Sequence, residues 1–254
     1  MLYTFCVFFT SSLRTRNLMN NDKFAIVTGG SRGVGFGIAK VLAEKGYNIG
    51  LISINSDRLS KAGIELANMY PNVDVDIYSA DVSDAERIGE AISFFAKKHG
   101  NVDVLVNNAG LFERGAIESF DLSDYQSLVM TNQFGSFNVL KCIVPMMKQQ
   151  KSGYIFNIAS MSGLRALADH GAYASTKFAL IGLSQSLRKE MLPYGVKVTA
   201  ICPGVVATDM TANIAISEED KIQPEDIGKL ISCCLDMSHS VTIDYIPVEC
   251  SSQV

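Results

Sequence analysis

From Lys23 onward, short apolar runs rich in β-branched residues alternate with longer segments of helical period, and this alternation limits the possible folds more than any other feature of the chain. Adjacent parallel strands need long crossovers, which helices supply, so the pattern implies a doubly wound α/β architecture: a parallel sheet with helices on both faces. Strands are expected at 24–28, 48–52, 73–78, 102–106, 154–158, 197–201 and 242–246, and helices at 34–45, 57–70, 85–99, 122–148, 172–192 and 224–237. The runs FAIVT, VDVLV and YIFNI are almost wholly apolar, as strands buried on both faces must be.

The chain has 254 residues, 48% of them hydrophobic, and no linker-like Gly/Pro run, repeat or low-complexity tract divides it. One domain over 21–254 is therefore expected. Residues 1–20 read differently. Their apolar run at 2–9 is too short to span a bilayer and has no basic residues before it, so a disordered leader or an over-extended start is expected rather than a membrane segment. A net charge of −4 offers no basic face for nucleic acid. Six cysteines without a CxxC pair and three histidines without an HExxH pattern indicate reduced thiols in a cytoplasmic protein, and no metal site.

Ligands of such sheets bind where the strands end. The first strand is followed by Thr28-Gly29-Gly30-Ser31-Arg32-Gly33-Val34-Gly35, which opens the first helix. Glycines there let the backbone approach a pyrophosphate held on the amides of a helix N-terminus. With TGGSRGVG matching the fingerprint TGxxxGxG in full, the chain resembles the short-chain dehydrogenase/reductase family from about Lys23 to Thr208, and within it the 3-oxoacyl-[acyl-carrier-protein] reductase-like members. The resemblance implies a Rossmann fold and a nicotinamide cofactor. It further implies adenine contacts from Asp81 and Val82, a strand-closing NNAG turn at Asn107, Asn108, Ala109 and Gly110, and a nicotinamide-end PG turn at Pro203 and Gly204 with Thr208.

Cofactor choice follows from charge. NAD sites carry an acid about 20 residues beyond the glycine turn, and that acid repels a 2′-phosphate. Here the stretch is Leu51-Ile52-Ser53-Ile54-Asn55, which has no carboxylate. Ser53 can donate to phosphate and Arg32 supplies a cation, so NADP(H) is expected over NAD(H), although the arginine common after the second strand in NADP-preferring relatives is Ile54 here.

Tyr173-Ala-Ser-Thr-Lys177 places phenol and ammonium on one helical face. An ammonium about 4 Å away at an effective dielectric near 20 contributes on the order of 4 kcal/mol, enough to lower a phenol by roughly three pKa units before desolvation. The resemblance completes a tetrad with Asn132, Ser160, Tyr173 and Lys177: Tyr173 as general acid/base, Ser160 polarising the substrate carbonyl, Lys177 also holding ribose hydroxyls, and Asn132 holding a water on Lys177.

Three segments, 111–120, 161–170 and 205–223, should surround the substrate. Leu111, Phe112, Leu164, Leu167, Val205 and Met210 are candidate walls of an apolar pocket, and His170 is a candidate contact outside the catalytic set. The expected function is hydride transfer between NADP(H) and a small carbonyl or alcohol in a homodimer or homotetramer. The alternatives are a 3-oxoacyl-[acyl-carrier-protein] reductase and a non-catalytic NADP(H)-binding regulator.

Overall fold

The computed structural model describes residues 23–251, so the expected leader at 1–20 lies outside the described residues. Seven strands form one parallel sheet in the order β3-β2-β1-β4-β5-β6-β7. They are β1 (Phe24–Thr28), β2 (Asn48–Ser53), β3 (Val75–Ser79), β4 (Val104–Asn107), β5 (Gly153–Ile158), β6 (Val196–Pro203) and β7 (Tyr245–Val248). The order reverses between β1 and β4, so the crossovers on either side leave to opposite faces and open a crevice at the carboxyl ends.

The pleat sorts each strand between two layers. Ala25 and Val27 of β1 pack with Ile38 and Leu42 of α1 (Gly33–Glu44), Leu59 and Leu66 of α2 (Ser56–Met69), and Ile227 and Ile231 of α7 (Pro224–Asp236). Phe24 and Ile26 face the other way. They join Ile88 and Phe95 of α3 (Ala85–His99), Val139 and Ile143 of α5 (Ser136–Gln150), and Leu187 and Met191 of α6 (Gly171–Met191). Among the described residues no helix is long and apolar enough to cross a membrane.

Two elements differ from expectation. The helix expected over 122–148 is α4 (Leu122–Val129), then a π-helical segment Met130–Gly135, then α5. A π turn is a local one-residue insertion inside a continuous helical segment, and the sequence reading of 122–148 does not mark it. The last strand starts three residues late because 242–244 serve as anchors: the Thr199 hydroxyl donates to the Ile243 carbonyl (2.8 Å) and the Ala200 amide to that of Asp244 (3.0 Å). As a half-exposed edge strand, β7 lacks the apolar run that marks the others.

Candidate active site

The turns after β1 and β4 are locked together. The Thr28 hydroxyl accepts the amides of Asn108 (2.9 Å) and Ala109 (3.0 Å), and Asn108 Nδ2 donates to the Thr28 carbonyl (2.9 Å). Gly29 has φ +64°, and a Cβ there would sit 2.9 Å from Asn108 Nδ2. At Gly35 an added Cβ would lie 2.5 Å from the Gly29 carbonyl oxygen, so α1 approaches the turn more closely than any side chain permits.

The start of α1 is electrostatically open. Arg32 occupies its N-cap without a side-chain cap, and the first turn carries no acid. By contrast, α2, α3 and α4 are capped by the side chains of Asn55, Asp84 and Asp121. The N–H groups at Gly33, Val34 and Gly35 thus meet no carboxylate from the first turn of α1, and a helix N-terminus of this kind favours an anionic ligand.

The residues expected at the adenosine end are brought together in part. The Ser31 and Ser53 hydroxyls are 2.9 Å apart. Arg32 instead turns across the cleft to Asp209, with Nη1 2.6 Å from its carboxylate. Asp81 accepts the Ser83 amide (2.9 Å), and the Val82 carbonyl is held by Asn138 (3.1 Å), which fixes the loop after β3 against α5. At the other end, the Gly204 amide donates to Val248 (2.7 Å), and Thr208 lies beside Gly33, its Cγ2 3.2 Å from a Cβ placed there.

All four tetrad residues converge at the exits of β4 and β5. Asn132 is 1% exposed inside the π segment; its Oδ1 accepts the Leu111 amide (2.8 Å), and its Nδ2 donates to the Leu111 carbonyl (2.9 Å) and to Thr176 Oγ1 (3.0 Å). Its side-chain amide therefore joins the segment after β4 to α6, one residue before Lys177. A Cβ on Gly110 would be 3.2 Å from Asn132 Oδ1 and 3.5 Å from Lys177 Nζ, so these three groups meet. Lys177 donates to the Ile158 carbonyl (3.0 Å), with Nζ 5.7 Å from the centre of the Tyr173 ring. Ser160 caps the turn after β5 by accepting the Ser162 amide (3.1 Å).

The electrostatics correct one expectation. Burial pushes the Tyr173 phenol up to about 12, opposed by a hydrogen bond with Ser160, and it pushes Lys177 down to about 8. Both groups are sealed from water, at 8% and 5% exposure, so desolvation penalises phenolate and ammonium alike and outweighs their proximity. The phenol is consequently held in its protonated form.

Of the expected wall residues, Phe112 reaches the centre, edge-on to Tyr173 at 4.8 Å between ring centroids. Leu111, Leu167 and Met210 are exposed, Val205 is part of the core beside α1 and α7, and Leu164 packs with Leu180 and Ile181. Sequence reasoning missed Thr176 and Cys202. Thr176 holds Asn132, while Cys202 is buried in β6, where Lys177 influences its ionisation. Thr176 lies inside the Tyr173–Lys177 motif but only the fold pairs it with Asn132, and only the fold brings Cys202 near Lys177.

A doubly wound sheet with an open glycine turn at its switch point, and a buried phenol–ammonium pair beside it, defines a dinucleotide-dependent oxidoreductase of the α/β class. The short chain dehydrogenase family model matches residues 23–219, and the chain belongs to that family, whose members use NAD(P) and act on alcohol and carbonyl groups. An uncharacterized oxidoreductase of Staphylococcus aureus strain MRSA252 is 33% identical over 227 residues, covering 89% of this chain and 96% of that protein. Among solved structures, a β-ketoacyl-[ACP] reductase from Bacteroides thetaiotaomicron is similar with a TM-score of 0.80 and 36% identity, over 91% of this chain and 98% of that one. An alcohol dehydrogenase from the archaeon Thermococcus sibiricus, complexed with 5-hydroxy-NADP, gives 0.85 and 29% over 91% and 98%.

Proposed function

We propose that this chain is an NADP(H)-dependent carbonyl reductase in which Tyr173 transfers the proton. The observation that carries the reading is the convergence of Ser160, Tyr173, Lys177 and Asn132 at strand ends beside an uncapped helix N-terminus. Gly29, Ser31, Gly33, Val34 and Gly35 would hold the pyrophosphate, Ser53 and Arg32 a 2′-phosphate, and Asp81 and Val82 the adenine. Asn108, Ala109, Gly110, Pro203, Gly204 and Thr208, with Tyr173 and Lys177, would line the nicotinamide ribose end. When bound, the cofactor supplies the hydride.

Tyr173, protonated at neutral pH, gives its proton to the carbonyl oxygen as negative charge develops there. The Ser160 hydroxyl donates to the same oxygen. Lys177 presents a positive charge that eases loss of the phenolic proton, and Asn132 fixes α6 against the segment after β4. A phenol held near 12 is protonated at neutral pH, which is the state that the reductive direction starts from.

The 36% identity with the β-ketoacyl-[ACP] reductase favours one second reading, in which the substrate is a 3-oxoacyl thioester. For assembly, we propose a homodimer or homotetramer. Phe134 on the π segment, Phe137 on α5 and Phe178 on α6 are exposed, and an apolar groove of about 330 Å³ lined by Phe134, Phe137, Leu180 and Leu183 fits the same face of a second copy. The uninterrupted sheet supports one domain over 21–254, and the absence of CxxC pairs supports a cytoplasmic setting.

The test is loss of reduced-nicotinamide absorbance with NADPH or NADH against β-ketoesters, quinones, sugars and steroids. Turnover is expected to be faster with NADPH and to fall by about 100- to 10,000-fold in Tyr173→Phe with NADPH binding retained. Turnover in that variant within tenfold of the parent would refute the assignment.

A further inference from the structure

A second cavity lies where the segment after β4 meets the segment just before α6, the helix that carries Tyr173. It holds about 440 Å³ and is lined by Arg114, Gly115 and Ala116 from the segment after β4, and by Ala168, Asp169 and His170 from the segment before α6. The Gly115 amide donates to the Asp169 carbonyl (2.8 Å), which ties the two segments together. Asp169 takes a left-handed φ of +60° at this point, a conformation that Asp tolerates better than most residues.

The cavity adjoins the reacting phenol. The Phe112 ring is edge-on to both His170 (5.4 Å) and Tyr173 (4.8 Å), so one aromatic ring separates them. His170 Nδ1 is 3.5 Å from Ser162 Oγ, and the Ser162 amide is bonded to Ser160. The cavity lining is thus linked to the residues proposed to meet the substrate carbonyl at two points, to Tyr173 through the Phe112 ring and to Ser160 through Ser162.

Its charge is specific. Arg114 makes no hydrogen bond or ion pair among the described residues, although Asp169 lines the same space. His170 is held below its ordinary value by burial and then by Arg114, so at neutral pH the guanidinium is the only cation of the lining. A planar guanidinium with free donors matches a carboxylate bidentately.

We propose that Arg114 is a specificity-determining residue that receives the carboxylate of an oxo- or hydroxy-acid whose reacting carbon lies at Tyr173. The proposal rests on the redox reading above. Asp169 accepts a hydroxyl or amine of the same substrate and disfavours a second carboxylate. The reaction balances as the proposed one does: hydride to the carbonyl carbon, the Tyr173 proton to its oxygen, and the acid's carboxylate unchanged.

The experiment uses the full chain with NADPH and 3-oxobutanoate, 4-oxopentanoate and 5-oxohexanoate, each beside its methyl ester, plus the N-acetylcysteamine thioester of 3-oxobutanoate. At least one acid is expected to exceed its ester in kcat/KM by about tenfold, and Arg114→Gln to lower that acid-to-ester ratio by about 10- to 100-fold, mainly through KM. Arg114→Lys, which keeps the charge but not the fork, should fall between. Preference for esters or thioester over every acid, or an unchanged ratio in Arg114→Gln, overturns the proposal. Should none of these be turned over with NADPH or NADH, the wider panel above decides the redox reading, and calorimetric titration with 4-oxopentanoate decides the subsite. Binding by the parent that is lost in Arg114→Gln supports it, and equal or absent binding overturns it.

Discussion

The two sides of the cleft are held by different forces. On the cradle side, the turns after β1 and β4 are joined by short hydrogen bonds to backbone groups, and Gly29 and Gly35 sit where no side chain fits. On the substrate side, 111–120, 161–170 and 205–223 are largely exposed and are joined by few bonds, such as the Gly115–Asp169 link and the Lys221 ammonium donating to Thr211 (2.9 Å). The cradle serves an invariant ligand and can be rigid; the other rim must shape itself to one substrate and is built from replaceable side chains.

The largest effect that could break this contrast comes from Gly35→Ala. Its Cβ would meet the Gly29 carbonyl at 2.5 Å and Asn108 Nδ2 at 2.6 Å, atoms that cannot swing aside. Overpacking of this kind costs roughly 1–3 kcal/mol, and if it falls on the cofactor-competent geometry NADPH affinity drops by up to about 100-fold. Leu167→Ala on the exposed rim should leave NADPH titration and melting temperature as in the parent. Equal effects of the two substitutions would show that the sides do not differ.

Lys177 spans the boundary, and its titration sharpens the contrast. Burial lowers it from 10.5 to about 8, while burial pushes Tyr173 up to about 12 and Cys202 up to about 11, so both titrate well above Lys177. The charged form of Lys177 is the one the proposed proton transfer uses. Reductive kcat/KM should therefore hold below about pH 8 and fall about tenfold per unit above it. Stability runs the other way: a depressed lysine burdens the fold fully below its folded pKa, and the burden lifts as pH rises from about 8 to 10.5. A rate profile flat to about pH 10 would remove Lys177 from the chemistry.

The same contrast explains what the sequence made legible. The cradle and the Tyr173–Lys177 pair were readable because backbone approach demands glycine at fixed spacing and i,i+4 placement follows from helix geometry, whereas Ser160 and Asn132 came from the family resemblance. Phe112 was named among the candidate walls, but its grouping with Arg114 and Asp169 was not legible, since it depends on how two segments far apart in sequence meet, and no local spacing encodes that. Thr176 was hidden for another reason: its partner Asn132 lies in a π segment that only the folded backbone reveals. The pKa of Tyr173 was misjudged because charge proximity can be read from YxxxK, whereas burial belongs to the tertiary structure.

Arg32 and Asp209 join the two sides, and they set the smallest and most discriminating test. Their ion pair is exposed, at 55% and 78%, so it contributes at most about 1 kcal/mol to stability. Yet Arg32 is also the cation proposed for the 2′-phosphate, and it cannot serve both partners with the same donors. Asp209→Ala releases it. The melting temperature should stay within about a degree or two of the parent, NADPH should bind about two- to fivefold more tightly, and NADH should be unaffected. Should NADH tighten equally, Arg32 would not be reading the phosphate and the NADP preference would lose its main support; should NADPH weaken, the pair would be part of the closed cleft, and the two sides would be more firmly coupled than their separate construction implies.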